Sequence, residues 1–307
     1  MASNSVSRID FLKYRFFCLA FSLTLIGAFV GTCIYRWQTK GYVFSYSIDF
    51  TGGAQALFKF SQPVSSQQVI STLEEKGWKG VVTREFSARE LLVRVKNIDD
   101  HAGGAKDLAE TMQTQLQESM PENQISLMQS EVVGSSVGAM LRWKSMRAVV
   151  ISLVLMLLYI AWRFWSFAYA AGAVIALLHD ALVMLAVFLL FNREISINVI
   201  GAILAVLGYS INDTIVIFAQ IRQNAAKMSS ASMYDIVNIS LNQTLRRTIL
   251  TSTATALTVA SMFFLGGEAL RDFSLALLVG IFFGTYSSIY MASPIMLFFY
   301  KDRRRHA

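Results

Sequence analysis

Residues 195–221 read ISINVIGAILAVLGYSINDTIVIFAQI, an apolar stretch of 27 residues whose only charged side chain is Asp213. A helix needs about 20 apolar residues to cross the hydrocarbon core of a bilayer, so the stretch predicts a membrane span, set at 195–219. Five further runs repeat the pattern. Runs 16–35, 248–267 and 273–300 hold no charge, and 164–192 holds only His179 and Asp180, with its span set at 167–190. Run 148–162 is shorter; flanked by Arg147 and Arg163, it crosses as 148–164 when both arginines snorkel to the interfaces. The composition agrees: 54% apolar and 15% charged residues suit a chain solvated by lipid. Cys18 and Cys33 both lie in the first run, where neither spacing nor setting points to a metal site or a disulfide.

The net charge of +7 is not spread along a soluble face that would bind nucleic acid; the basic residues gather at the ends of apolar runs and read as topology signals. The first run follows Arg8, Lys13 and Arg15 and lacks a small-residue cleavage site, which predicts an uncleaved anchor with residues 1–15 in the cytoplasm. On that orientation the cytoplasmic segments, including the loop 220–247 and the tail 301–307, hold twelve Lys and Arg against two, Arg193 and Arg271, in the short outside loops. Arg142, Lys144 and Arg147 run against the trend, although a long domain translocates largely regardless of charge.

That long domain is 36–147, a polar stretch of 112 residues between the first two spans. Residues 42–60 read as a strand around a Gly pair, and 65–78 as a helix capped by Ser65 and Ser66. Residues 81–86 and 91–95 read as a hairpin, 105–120 as a helix and 125–133 as a strand. The order is βαββαβ, a ferredoxin-like α+β domain placed outside the cytoplasm. The expected fold class is therefore an α-helical polytopic membrane protein with six transmembrane helices and this extracytoplasmic domain between the first and second.

Ionisable groups inside spans are the candidate chemistry. Asp213 stands nine residues before Arg222, about 13 Å inside the cytoplasmic end at 1.5 Å per residue, too deep to snorkel. It reads either as part of an ion or proton path or as an interhelical hydrogen bond. Arg247 opens the fifth span, where it either pairs with Asp213 as a switch or anchors the span end beside Arg246. Thr248, Thr251, Thr255 and Thr258 share a face that either wets a path or lets helices pack closely. Asn198, Gly201, Ala205, Gly208 and Asn212 form a small, polar stripe read as a close helix contact, with Ser210 on the side of Asp213. His179 and Asp180 diverge by about 100° around their helix, and stay open between function and a satisfied interhelical bond. Asn212 and Ser210 join them as a candidate secondary polar site. No phosphate-cradling loop, nucleophile motif or metal cluster is evident, so neither a cofactor nor ATP is expected.

Three separated motifs then carry a resemblance: Asp49-Phe50-Thr51-Gly52-Gly53 after the first span, Gly208-Tyr209-Ser210-Ile211-Asn212-Asp213-Thr214 in the fourth, and Asn242-Gln243-Thr244-Leu245-Arg246-Arg247-Thr248 opening the fifth. They resemble signatures of the SecF branch of the SecD/SecF protein-export family, and the likeness covers nearly the whole chain. The resemblance implies a bacterial inner-membrane subunit, both termini cytoplasmic, working with SecD beside the SecYEG channel. Proton flow would then drive the export of unfolded preproteins, with sodium as the alternative ion. It makes Asp213 and Arg247 the intramembrane acid and its basic partner, and Asp49 to Gly53 the junction below the outside domain. One departure stands just before Ile221: the family often has an acidic and then a basic residue there, and this chain has Ala219 and Gln220. Two rival readings remain at this point. One is half of a small-molecule or lipid exporter of the resistance-nodulation-division superfamily, and the other is a non-conducting scaffold of the Sec channel.

Overall fold

A computed structural model describes residues 9–95 and 105–300 and divides the chain into two compact units, one of 46–146 and one of the remainder. The expected tail 301–307 and most of the expected terminus 1–15 lie outside the described residues.

The membrane unit is built on six helices long and apolar enough to cross a bilayer: Leu12–Lys40, Ser135–Phe164, Phe167–Leu190, Ile197–Lys227, Met233–Leu265 and Leu270–Phe299. We refer to them as the first to sixth spans. Several helices run past the apolar runs that announced them, because a helix satisfies its own backbone and does not stop where the lipid does. The stretch 220–247, read as a loop, is the clearest case. The fourth span continues through it to Lys227 and the fifth begins at Met233. Ser232 caps that second start, its Oγ accepting from the Asp235 N–H at 3.1 Å. Ile236, Val237 and Leu241 then recur on one buried face.

Burial sorts the six spans. The third, fourth and sixth have 56%, 56% and 50% of their most apolar stretches buried within the chain, against 6%, 6% and 17% for the first, second and fifth. The inner three pack closely through small residues. A Cβ on Gly280 would meet Val206 Cγ1 at 2.5 Å, and one on Gly172 would meet the Ala292 carbonyl oxygen at 2.5 Å. The sixth span is not one regular helix: Gly267–Ser287 passes through a π-helical turn, Ser288–Ala292, into Ser293–Phe299. Pro294 accounts for this, since its ring clashes with the carbonyl four residues back and the wider turn relieves the contact. Ser293 Oγ then donates to the Ser288 carbonyl at 3.2 Å. Gly172 on the third span supplies the room for this widened backbone.

The second unit follows the expected order, with helices Ser66–Glu75 and Ala105–Ser119 between strands Gly53–Phe60, Val81–Ser87, Glu90–Val95 and Ile125–Val133. The strands form one antiparallel sheet in the spatial order Val81–Ser87, Glu90–Val95, Gly53–Phe60, Ile125–Val133. Alternate residues Ala54, Ala56, Phe58 and Phe60 point into the core under the helices, where Val69, Leu73, Met112 and Leu116 meet them. Trp78 lies beyond the first helix and is buried, its Nε1–H donating to Gln115 Oε1 at 2.6 Å.

One expectation fails here. Residues 42–52 do not continue the strand 53–60; they enter a single helical turn, Ile48–Thr51. Ser47 and Asp49 close that turn locally, Ser47 Oγ donating to Asp49 Oδ2 at 2.9 Å and the Gly52 N–H to the Ile48 carbonyl at 2.9 Å.

Candidate functional site

The fourth span carries a buried face of Ala202, Val206, Ser210, Asp213, Thr214 and Ile217. Two carboxylates meet this helix from different directions. Asp213 is its own, 5% exposed, and turns toward the fifth and sixth spans. Ser252 Oγ stands 3.5 Å from Asp213 Oδ2, at the outer limit of a hydrogen bond, and shares a shorter bond of 2.7 Å with Thr285 Oγ1. Asp213 is thus dry and loosely held, an arrangement in which a carboxylate is costly unless a proton or a cation joins it.

Arg247 does not join it in this structure. It is exposed at the start of the fifth span's apolar part and, among the described residues, makes no ion pair with Asp213 within 4 Å. Thr248 and Ser252, not Arg247, present the fifth span's buried face.

Asp180 comes from the third span and is fully buried. Its Oδ2 accepts from Ser210 Oγ at 2.6 Å and from Ser287 Oγ at 2.9 Å, and its Oδ1 lies 3.1 Å from His179 Nδ1. Adjacent residues on a helix point about 100° apart, yet His179 and Asp180 bond each other sideways; Asp180 hydrogen-bonds the fourth and sixth spans, while the His179 ring lies against Phe283 and Tyr286 of the sixth. A glycine makes this meeting possible: a Cβ on Gly284 would lie 3.0 Å from Ser210 Cβ and 3.6 Å from Asp180 Oδ2. Thr214 Oγ1 and Ser288 Oγ, 2.9 Å apart, extend the polar seam to the π-helical turn.

Other expected residues are placed differently. Asn198, Gly201, Ala205, Gly208 and Asn212 are all exposed, and a Cβ on Gly201 or Gly208 would meet nothing within 4 Å. The close helix contact expected of this stripe is therefore absent among the described residues, because the stripe lies on the side of the fourth span away from its buried face. Asn212 consequently stands apart from Ser210, His179 and Asp180. Thr251, Thr255 and Thr258 donate back to their own helix, to the carbonyls of Arg247, Thr251 and Ala254. Thr248 is buried with its hydroxyl unpartnered among the described residues. Where a charge pair was in doubt, amides serve instead: Gln243 Oε1 accepts from Gln220 Nε2 at 2.8 Å and from Asn224 Nδ2 at 2.7 Å.

In the junction motif, Gly52 has φ +73°, and its missing side chain makes way for the backbone of Ser135, whose Cα would be 2.6 Å from a Cβ. Gly53 has φ +126°. The pair marks a close backbone approach at a turn rather than a bulge within a strand.

Sequence reading missed Ser252, Thr285, Ser287 and Ser288. Hydroxyls in spans are common, and the useful signal was Gly280 and Gly284 four apart beside Ser287, which places a close approach next to a buried donor. Among the described residues no group of three or more His, Cys, Asp or Glu is disposed to hold a metal.

Comparison with known proteins gives consistent results. Residues 111–302 match the family model described as protein export membrane protein SecD/SecF, C-terminal. The protein translocase subunit SecF of Pseudomonas aeruginosa is 37% identical over 294 residues, covering 95% of this chain and 92% of that one. The protein translocase subunit SecDF of Thermus thermophilus is 38% identical over 270 residues, which is 85% of this chain and 35% of the relative. The crystal structure of the Thermus SecDF superposes with a TM-score of 0.83 at 35% identity, over 97% of this chain and 39% of that chain.

Proposed function

The chain belongs to the SecD/SecF family of protein-export membrane proteins, as an accessory subunit of the Sec translocase, and from that premise we propose that a proton gradient drives its work through Asp213. The observation that carries the reading is a carboxylate about 13 Å deep in a span, 5% exposed, with one long hydrogen bond and no ion pair. Among the described residues Asp213 has no set of short bonds that would hold it ionised in one place. An acid held loosely, with Arg247 at the start of the fifth span and not bonded to it, is free to take up a proton or to engage the guanidinium as helices move.

In this reading the chain is a multi-pass protein of the inner membrane with both termini cytoplasmic. Residues 46–146 form an extracytoplasmic domain of ferredoxin-like type, whose strand order supports that assignment. Movements of that domain pull unfolded preproteins arriving from the SecYEG channel. SecD is the partner. The exposed stripe from Asn198 to Asn212 supports this, since small residues with open space over them are what a tightly packed helix of another subunit requires. A relative named SecDF in which this chain matches 35% of the length supports it too.

The test is to purify the tagged chain from membranes and ask whether SecD copurifies, then to measure preprotein translocation by the pair in vesicles with and without an imposed gradient. Copurification that is lost on Gly201→Leu or Gly208→Leu, with translocation that falls when an uncoupler collapses the gradient, is expected. A pair that forms regardless of the stripe, or that works equally well without a gradient, contradicts the proposal. Stimulation by a sodium gradient alone replaces the ion.

A further inference from the structure

Asp180 takes no part in the function argued above. Accepting that function as gradient-driven, we propose that Asp180 is a second proton-binding site of the same machine, storing a proton where the third, fourth and sixth spans meet.

The geometry carries this. Asp180 is fully buried, and residues 16–35, 167–190, 197–221 and 273–299 contain no Lys or Arg, which leaves His179, its Nδ1 at 3.1 Å, as the basic neighbour. The titratable groups in those stretches besides Asp180 are Tyr169 and His179 on the third span, Tyr209 and Asp213 on the fourth, Tyr286 and Tyr290 on the sixth, and Cys18, Cys33 and Tyr35 on the first. Tyr286 is occupied elsewhere, its hydroxyl donating to the Cys18 carbonyl at 2.8 Å while its ring lies 6.0 Å from that of His179. An ionised carboxylate here depends wholly on hydroxyl and imidazole donors.

Those donors suit both protonation states. Ser287 Oγ lies 2.9 Å from Asp180 Oδ2 and 3.1 Å from the Gly284 carbonyl oxygen, and a hydroxyl has one proton to give. With Asp180 ionised, Ser287 and Ser210 both donate to Oδ2. When a proton arrives, an O–H bond forms on Oδ2 and donates to Ser287 Oγ, whose own O–H turns to the Gly284 carbonyl. No serine O–H is broken and no helix has to move. Ser287 thus keeps a partner in either protonation state.

His179 supplies a second, independent observation. It is 2% exposed, and its Nε2 has no hydrogen-bond partner among the described residues, although Nδ1 faces Asp180. A buried imidazole bonded on one nitrogen and open on the other can relay a proton to the carboxylate. Ser287 in turn adjoins Ser288, the first residue of the π-helical turn, so a change of bonding at Asp180 falls next to the one irregular point of the sixth span.

The experiment uses the complex with its SecD partner in vesicles, comparing Asp180→Asn, Ser287→Ala and Asp213→Asn with wild type at matched complex levels. The readouts are gradient-driven translocation as a function of pH and the infrared carboxyl band titrated over the same range. Asp180→Asn is expected to assemble, to lose one titrating carboxyl from the infrared profile and to cut gradient stimulation about tenfold, the factor expected for one lost charge-assisted bond. Ser287→Ala keeps the acid but is expected to move the midpoint of that carboxyl by about one pH unit. An assembled Asp180→Asn complex with wild-type stimulation and profile overturns the proposal, whatever Asp213→Asn does. Should Asp180→Asn fail to assemble, a Ser287→Ala profile superimposable on wild type overturns it instead. Full stimulation in Asp213→Asn removes the function assigned to Asp213 without touching the result for Asp180.

Discussion

Replacing Gly52 by Ala adds one methyl group at a place where the backbone leaves no room for it. At φ +73° an L-residue costs about 1–2 kcal/mol. The added Cβ would also stand 2.6 Å from Ser135 Cα and 2.9 Å from Ser135 N. Both are backbone atoms that cannot rotate away, so the overlap adds about 1–3 kcal/mol. Together these make about 2–5 kcal/mol, a large part of the ~5–15 kcal/mol that holds a small domain folded. The assay is urea unfolding of residues 46–146, followed by tryptophan fluorescence. At a slope of about 1–1.5 kcal/mol per molar, the midpoint is expected to fall by about 1.3 M or more. Gly134→Ala serves as the control, because its nearest neighbour, Val137 Cγ2, lies at 4.0 Å and its φ is not positive. A Gly52→Ala midpoint within about 0.3 M of wild type would refute the close approach.

Three further outcomes follow from the packing. Gly280→Ala should lower the melting temperature of the purified chain, and Val206→Ala in the same molecule should recover most of the loss, with a coupling of about 1–3 kcal/mol; strictly additive effects would contradict the contact. Phe58→Ala should destabilise residues 46–146 by about 3–5 kcal/mol in urea, and a cost under about 1 kcal/mol would move Phe58 out of the core. Asp272→Asn removes the 3.2 Å pair with Arg193, whose side chains are about a quarter exposed, and should cost no more than about 1 kcal/mol; a drop of several kcal/mol would mean the pair is far drier than it looks.

The six spans were legible because lipid imposes a simple rule on length and polarity. The strand 125–133 was equally clear, since alternation and the turn before it agree. Helix ends were less legible, as at Ser135 and Lys227, because hydropathy reports where lipid ends and not where the backbone does. Asp213, Asp180 and His179 stood out as costly residues in apolar runs. Their partners did not: which serine of the sixth span meets which acid depends on helix rotation and on the π-helical turn, neither of which a one-dimensional pattern encodes. The stripe from Asn198 to Asn212 is small and polar, but no described helix packs on it, and a single sequence cannot show which contacts lie within the chain.

The proton role proposed for Asp213 is tested most directly by preprotein translocation into vesicles with an imposed proton gradient, comparing wild type, Asp213→Asn, Asp213→Glu and Arg247→Met at matched levels of the complex with SecD. Asn keeps the size and much of the hydrogen bonding of Asp but cannot titrate; an interhelical bond survives the change at a cost of about 1 kcal/mol, whereas proton binding does not. Gradient stimulation is expected to vanish in Asp213→Asn while insertion and SecD binding persist, and to remain in part in Asp213→Glu. Wild-type stimulation in Asp213→Asn would take Asp213 out of the proton path and leave the chain as a scaffold of the export channel.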